Sequence, residues 1–239
     1  MNTFLLYGAP GAGKTTLACT APYPILLIDS DCKAKGMNNL TSLLAEENKI
    51  EIKEIDVPLS FGNLTERLLN KKLPISISPM GYIQFCDIIT NLETKPFHYK
   101  TIVIDSLTSL EEHLRRFILF LNKSSTISMP GWEMLRSSYS DLFDCLKKLK
   151  VENLIVIAHD KIEKNELTGR IEYKPLVSGS TRDNIGMYFN EVYYCYAKKE
   201  INGRKIWGIQ TFPEDEKFAR SSFNIDNMVN PNISSIINQ

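Results

Sequence analysis

Gly8-Ala9-Pro10-Gly11-Ala12-Gly13-Lys14-Thr15 fits the spacing G-x-x-x-x-G-K-[ST], and Thr16 follows it. That spacing binds phosphate. Small residues let the backbone curl until its amide N–H groups converge on a β-phosphate, and the helix that follows offers the positive end of its dipole. Lys14 then neutralises β and γ oxygens, while the Thr15 hydroxyl coordinates magnesium. ATP and Mg2+ are the expected cofactors. GTP fits less well, because no N-K-x-D tetrapeptide follows the fourth strand; Asn153 and Asp160 lack that spacing.

A phosphate loop also needs a carboxylate at the end of a buried strand to hold the magnesium hydration shell. Asp105, closing Thr101-Ile102-Val103-Ile104, supplies it, with a helix-capping role as its alternative. Hydrolysis further requires a group that orients water, and Asp29 and Asp31 close the run Ile25-Leu26-Leu27-Ile28. Asp31 is the first choice as base; a solvated loop aspartate is the competing reading. Glu111 and Glu112 lie a helical turn beyond the Asp105 strand end and rank behind it. His159 emerges after Leu154-Ile155-Val156-Ile157-Ala158, at the sheet edge where open α/β proteins bind ligands, and is placed to sense a γ-phosphate unless it is an ordinary loop residue.

These residues require a scaffold of buried parallel strands. Phe4 to Tyr7, Ile25 to Ile28, Thr101 to Ile104 and Leu154 to Ala158 are continuous apolar runs, the pattern of strands covered on both faces. Helices must flank them. They are expected from near Gly13, over about Gly81 to Leu92, Ser109 to Leu121 and Trp132 to Leu149. Glu191 to Ala197 and Arg204 to Phe212, joined through Asn202-Gly203, predict an antiparallel hairpin that extends the sheet. The expected fold is α/β: a mostly parallel central sheet flanked by helices, with a C-terminal hairpin. Residues 58–80, with Pro58, Pro74 and Pro79, read as an irregular insertion in a core of residues 1–223. The tail 224–239 is rich in Asn and Ser and carries a short apolar element at Ile233 to Ile237, a docking tail or a disordered one.

The 28 basic and 28 acidic side chains cancel, so no global field draws the chain to nucleic acid and any such affinity must be local. Cys19, Cys32, Cys86, Cys145 and Cys195 form no C-x-x-C pair, which fits neither a disulfide framework nor a zinc site. No apolar run reaches roughly 18 residues, and the N-terminus has no basic-then-apolar leader pattern. A soluble protein of a reducing cytoplasm, without a membrane partner, is the expectation.

Together these strand ends resemble RecA-fold recombination ATPases, in particular the small phage-encoded RecA-like proteins of single-strand annealing, over roughly residues 3–223. Phe4 to Thr16 looks like that family's Walker A segment, and Ile102-Val103-Ile104-Asp105-Ser106-Leu107-Thr108-Ser109-Leu110 its Walker B strand with the trailing Asp-Ser. Leu27 to Asp31 resembles the segment that carries a catalytic glutamate, here a shorter acid, and Val156 to His159 the sensor strand, with histidine where RecA has glutamine. Pro175 to Tyr194 looks like the region after the sensor. The resemblance implies a RecA-like P-loop NTPase forming rings or filaments, located in the host cytoplasm if phage-encoded. It also implies basic residues reaching a neighbour's phosphates in trans, for which Lys217 and Arg220 are candidates, an ordinary surface pair being the alternative.

The resulting expectation is a DNA-dependent ATPase of recombination or annealing, acting on single-stranded DNA as a homo-oligomer, with a single-stranded-DNA-binding protein as a further partner. Lys161, Lys164, Arg170, Lys174 and Arg182, in a long loop after the sensor strand, would meet the DNA backbone. Trp132 either stacks on a base or, ranked first, packs at a helix start. The alternatives are a small-molecule or nucleotide kinase, with the insertion as a lid, and an ATP-regulated switch or remodelling subunit.

Overall fold

A computed structural model of the chain describes residues 1–38, 40, 49–55, 78–166, 169–179, 181–200, 202–214 and 216–238. Of the expected insertion, residues 58–77 lie outside the described residues, and Met80 already opens a helix.

The apolar runs fold as strands because each is buried along its whole length. β1 (Asn2–Tyr7), β2 (Ile25–Asp29), β4 (Thr101–Asp105) and β5 (Asn153–Ala158) form the parallel centre, with β3 (Ile50–Glu54) pairing β2 and β8 (Glu191–Lys199) pairing β1. β9 (Lys205–Gln210) and β10 (Met228–Val229) then add antiparallel strands, giving the order β10-β9-β8-β1-β5-β4-β2-β3. This is the mostly parallel sheet with a C-terminal antiparallel hairpin expected of a RecA-like P-loop fold. The Asn202-Gly203 turn is present, with Gly203 at φ 86°.

Alternate residues of each central strand serve two different cores. Leu5, Tyr7, Leu26, Ile28, Ile102 and Ile104 pack with α2 (Met80–Thr94), α3 (Leu107–Leu121) and α4 (Met129–Lys148). Phe4, Leu6, Ile25, Leu27, Val103 and Ile155 face the opposite side, toward α1 (Lys14–Ala18) and α6 (Ile233–Ile237). Each fully buried Ile, Leu or Phe contributes roughly 1.5–3 kcal/mol, so both faces are held shut by apolar burial. A further short helix, α5 (Thr181–Asn184), precedes β8.

One stretch differs from the expected loop, and the tail takes one of the two forms left open for it. The long loop after β5 is an antiparallel ribbon, β6 (Asp160–Lys164) and β7 (Ile171–Pro175), with Ile162 opposite Tyr173. Charged residues on one face offset each other along each strand, Lys161 with Glu163 at 2.6 Å and Lys174 with Glu172 at 3.0 Å, which lets so polar a segment pair. The tail ends in an ordered helix: Ile233 and Ile236 are fully buried, and the Ile233 amide donates to Thr20 Oγ1 at 2.8 Å.

In-register pairing puts the chemistry on one edge. Asp29 lies opposite Asp105, Asp105 opposite Ile157, and Tyr7 opposite Ala158, so Gly8, Ser30, Ser106 and His159 leave the sheet side by side.

Candidate functional site

The glycine loop wraps the end of β1. Gly8 has φ 150°, and a Cβ there would lie 2.1 Å from the Cys195 carbonyl oxygen, so β8 can approach the loop only if residue 8 is glycine. Gly13, at φ 82°, begins α1. Lys14 is 6% exposed; its Nζ donates to the carbonyls of Gly8 at 2.6 Å and Ala9 at 2.9 Å, which holds the ammonium at the centre of the loop. Burial lowers its pKa, opposed by Asp105, Asp160 and Asp31. The Cys195 thiol next to it is pushed up to about 12 by burial and is neutral there.

Thr15 and Asp105 meet across the loop. Thr15 Oγ1 donates to Asp105 Oδ2 at 2.6 Å. Burial pushes the Asp105 carboxyl up to about 6, against the Thr15 hydrogen bond that favours the ionised form. The capping alternative falls to Ser106 instead: its hydroxyl, not Asp105, accepts from the Ser109 amide at the start of α3. A hydroxyl beside one carboxylate, with room left for water and phosphate, suits magnesium, which keeps several waters and takes few protein ligands.

The two candidate acids after β2 separate cleanly. Asp29 Oδ atoms accept from the amides of Asp31 at 3.0 Å, Lys33 at 2.8 Å and Ala34 at 2.7 Å, so Asp29 shapes the loop. Both acids line the same cavity, and Asp31 meets side chains there instead. Its Oδ1 accepts a hydrogen bond from the Ser109 hydroxyl, and its Oδ2 lies 3.8 Å from His159 Nε2 and 3.6 Å from Lys33 Nζ. His159, with Ser109 and Lys33, holds this carboxyl well below the usual carboxylate range despite partial burial. Ser30 keeps Asp31 near Asp105: its amide donates to the Asp105 carbonyl at 2.7 Å and its hydroxyl to the Ser106 carbonyl at 2.7 Å.

His159 is fixed through its backbone. Its amide donates to Thr108 Oγ1 at 3.0 Å, and its carbonyl accepts from the Leu176 amide at 2.7 Å. Its Nδ1 is buried with no hydrogen-bond partner among the described residues. Lys14, Thr15, Asp31, Asp105 and His159 thus line one cavity of about 670 Å³, a volume suited to a small-molecule ligand.

The AAA domain family model matches residues 1–223. The chain belongs to that family, with the phosphate loop at Gly8 to Thr15.

The matched span takes in every residue of the phosphate edge. No curated protein matches the chain. Among solved structures, this AAA domain is similar to a prototypical ATPase from the type III secretion system of pathogenic bacteria, at 15% identity and a TM-score of 0.46, over 81% of this chain and 51% of that one. It is also similar to the assembled ATPase EscN of the enteropathogenic E. coli type III secretion system, at 14% identity and a TM-score of 0.45, over 82% of this chain and 43% of that one. The AAA domain chain spans about half the length of these solved structures.

The remaining candidates of the AAA domain lie away from this cavity. Lys217 Nζ sits over the rings of Tyr173 and Tyr194, at 5.3 and 5.5 Å from their centroids. The Arg220 guanidinium donates to the Gly186 carbonyl at 2.8 Å and to that of Phe189. On the β6–β7 ribbon and just after it, Lys161 and Arg182 pair with Glu163, Arg170 with Glu216, and Lys174 with Glu172 and Asp183. Lys164 ends β6 on the exposed side. Trp132 stays 37% exposed in the first turn of α4, with the Arg115 guanidinium 5.5 Å from its ring centroid.

Sequence reasoning missed Ser109, Thr108, Lys33 and Trp207 as parts of the site. Ser109 and Thr108 had a readable signal, since both fall within a turn of Asp105 on the helix that leaves the phosphate edge. Trp207 had none, because a hairpin strand nearly 200 residues from the loop carries it there.

Proposed function

We propose that the chain binds ATP with magnesium at Gly8 to Thr16 and hydrolyses it, with Asp31 and His159 acting at the γ-phosphate end. The observation that carries this reading is the 2.6 Å bond between Thr15 and Asp105, which joins the phosphate loop to the strand-end carboxylate. Magnesium, when bound, would be held by these two residues and would offset the charge of the phosphates. Lys14 binds the β and γ oxygens by exchanging its loop carbonyls for them. Asp31 is already fully ionised and a weak proton acceptor, so its part is to orient the attacking water together with Ser109, rather than to act as a strong base. His159 hydrogen-bonds the γ-phosphate and, through Thr108 and Leu176, carries its presence to the β6–β7 ribbon.

As the wider role we propose an oligomeric ATPase working on single-stranded DNA in recombination or annealing. Its support is the resemblance of the four strand ends to RecA-type proteins. Lys217 and Arg220 would serve a neighbouring copy only after leaving the tyrosine rings and carbonyls that hold them. Lys161, Arg170, Lys174 and Arg182 are ion-paired among the described residues, so affinity would have to exchange those acids for phosphate.

Hydrolysis with and without single-stranded DNA, on protein sized under each condition, tests both levels. DNA-stimulated turnover with assembly supports the wider role. DNA-indifferent turnover by a monomer removes the DNA role and leaves the ATPase, whereas phosphoryl transfer to an added acceptor would favour a kinase.

A further inference from the structure

The β8–β9 hairpin rises past the phosphate edge. β1 meets β8 as far as Tyr194, yet β8 continues to Lys199, and β9 returns from Lys205 opposite that extension. Side chains alternate along β9, with Ile206 buried and Lys205 and Trp207 exposed. The exposed face turns toward the phosphate loop: a Cβ built on Gly13 would lie 2.8 Å from Trp207 Cδ1. The indole remains 40% exposed, and Lys205 Nζ lies 5.2 Å from its centroid.

The C-terminal segment stands beside it. The Asn230 amide donates to the Trp207 carbonyl at 2.8 Å, and the Ser234 hydroxyl donates to the Thr20 carbonyl at 2.6 Å, so Asn230 and Pro231 are pinned between β9 and the end of α1. Trp207, Asn230 and Pro231 line the same cavity as Lys14 and Asp105. They do so from the opposite side of β1, because the sheet order places β9 and β8 on one flank of β1 and β5, β4 and β2 on the other.

That arrangement gives a bound nucleotide a direction. Asp31, Asp105 and His159 occupy one end, so the γ-phosphate points there. Thr16 and Trp207 line the cavity toward its other end, where the rest of the molecule would lie.

We propose that the purine base of the nucleotide packs on the Trp207 indole, with Asn230 and Pro231 of the C-terminal segment as the adjoining wall. This rests on the ATP-site reading and assigns its base subsite. Part of that subsite, residues 230 and 231, lies outside the span 1–223 matched by the AAA domain model. Aromatic stacking gives affinity without reading the edge of the base, so Trp207 would add affinity for ATP rather than select between bases.

The test uses two probes, MgATP and magnesium tripolyphosphate, which has the phosphates without the base. In Trp132→Phe protein, Trp207 is the remaining tryptophan, and the total of two makes its emission separable. MgATP is expected to change that emission with the same midpoint as calorimetric binding, while tripolyphosphate binds without the change. Trp207→Leu is expected to weaken MgATP by about five- to a hundredfold and to leave tripolyphosphate alone. Trp207→Phe, which keeps a ring and guards against a folding defect, should stay within about threefold of wild type by the same stacking argument. ATP binding with unchanged Trp207 emission and equal affinity in Trp207→Leu would overturn the base subsite alone. Equal emission changes from both probes would overturn it too, since the signal would then read phosphate. Binding of neither probe would overturn the ATP site and the base subsite together.

Discussion

Thr15 Oγ1 donates to Asp105 Oδ2 at 2.6 Å, across 90 residues of sequence. This bond joins the first helix to the fourth strand, and it places a hydroxyl and a carboxylate where a divalent cation on the phosphates would need them. The proposed function rests on this juncture and on the pair Asp31 and His159 beside it.

Asp105→Asn keeps the shape of the carboxyl and an oxygen for the Thr15 hydroxyl, but removes its charge. Burial already disfavours that charge, so the substitution should leave the melting temperature unchanged or raised. Magnesium-dependent ATP affinity should fall, while binding of ATP without magnesium changes little. Calorimetric titration with and without magnesium checks this; equal loss in both would remove Asp105 from the metal site.

Asp31→Asn and Asp29→Asn should separate chemistry from structure. Asp31→Asn is expected to cut turnover by roughly 10²- to 10⁴-fold with ATP affinity and stability retained. Asp29→Asn turns an amide group toward the backbone N–H donors of Asp31, Lys33 and Ala34 and should cost about 1–3 kcal/mol of stability. Single-turnover hydrolysis beside urea denaturation reads both. The reverse pattern would assign the orienting role to Asp29.

Glu111 is a structural acid beside the site. It accepts from Tyr139 Oη at 2.6 Å, from the Ser178 amide at 2.8 Å and from the Ser178 hydroxyl, and so ties α3 to α4 and to the segment after β7. Glu111→Ala should lower stability by about 1–3 kcal/mol, because buried donors lose their acceptor. Turnover per folded molecule at low temperature should be unchanged. A loss of turnover without loss of stability would place Glu111 in the chemistry.

The central strands were legible because each is an unbroken apolar run, a pattern that only two-sided burial produces. Helix ends were less so. α3 begins at Leu107 because Ser106 caps it, two residues before the periodic apolar signal becomes visible, and α4 begins at Met129 behind Ser128 and before Pro130. The β6–β7 ribbon was hidden because Lys161, Glu163, Glu172 and Lys174 give it the composition of a loop. β3 escaped for a similar reason: Ile50 and Ile52 alternate with Glu51 and Lys53 on an edge strand.

Within the candidate site, the positions of the phosphate loop, Asp105 and His159 were readable because each lies at the end of a buried strand. The order of Asp31 ahead of Asp29 had no physical ground in the sequence; that ground lies in the loop amides of Lys33 and Ala34 that Asp29 consumes. The Trp207 side of the cavity was not readable either, since β9 and the tail meet the loop there only after the chain has folded back. The tail helix is five residues long, too short for periodicity to announce, and it is held by the burial of Ile233 and Ile236.

Release of phosphate from MgATP by wild type and Lys14→Ala, at equal concentrations of folded protein, is the most direct measurement. Removal of a preorganised cation at the phosphates should slow turnover by at least about 10²-fold, with the fold intact. Equal rates for the two proteins, or no phosphate release by wild type in the presence of magnesium and single-stranded DNA, would contradict an ATPase site built on Lys14, Thr15 and Asp105.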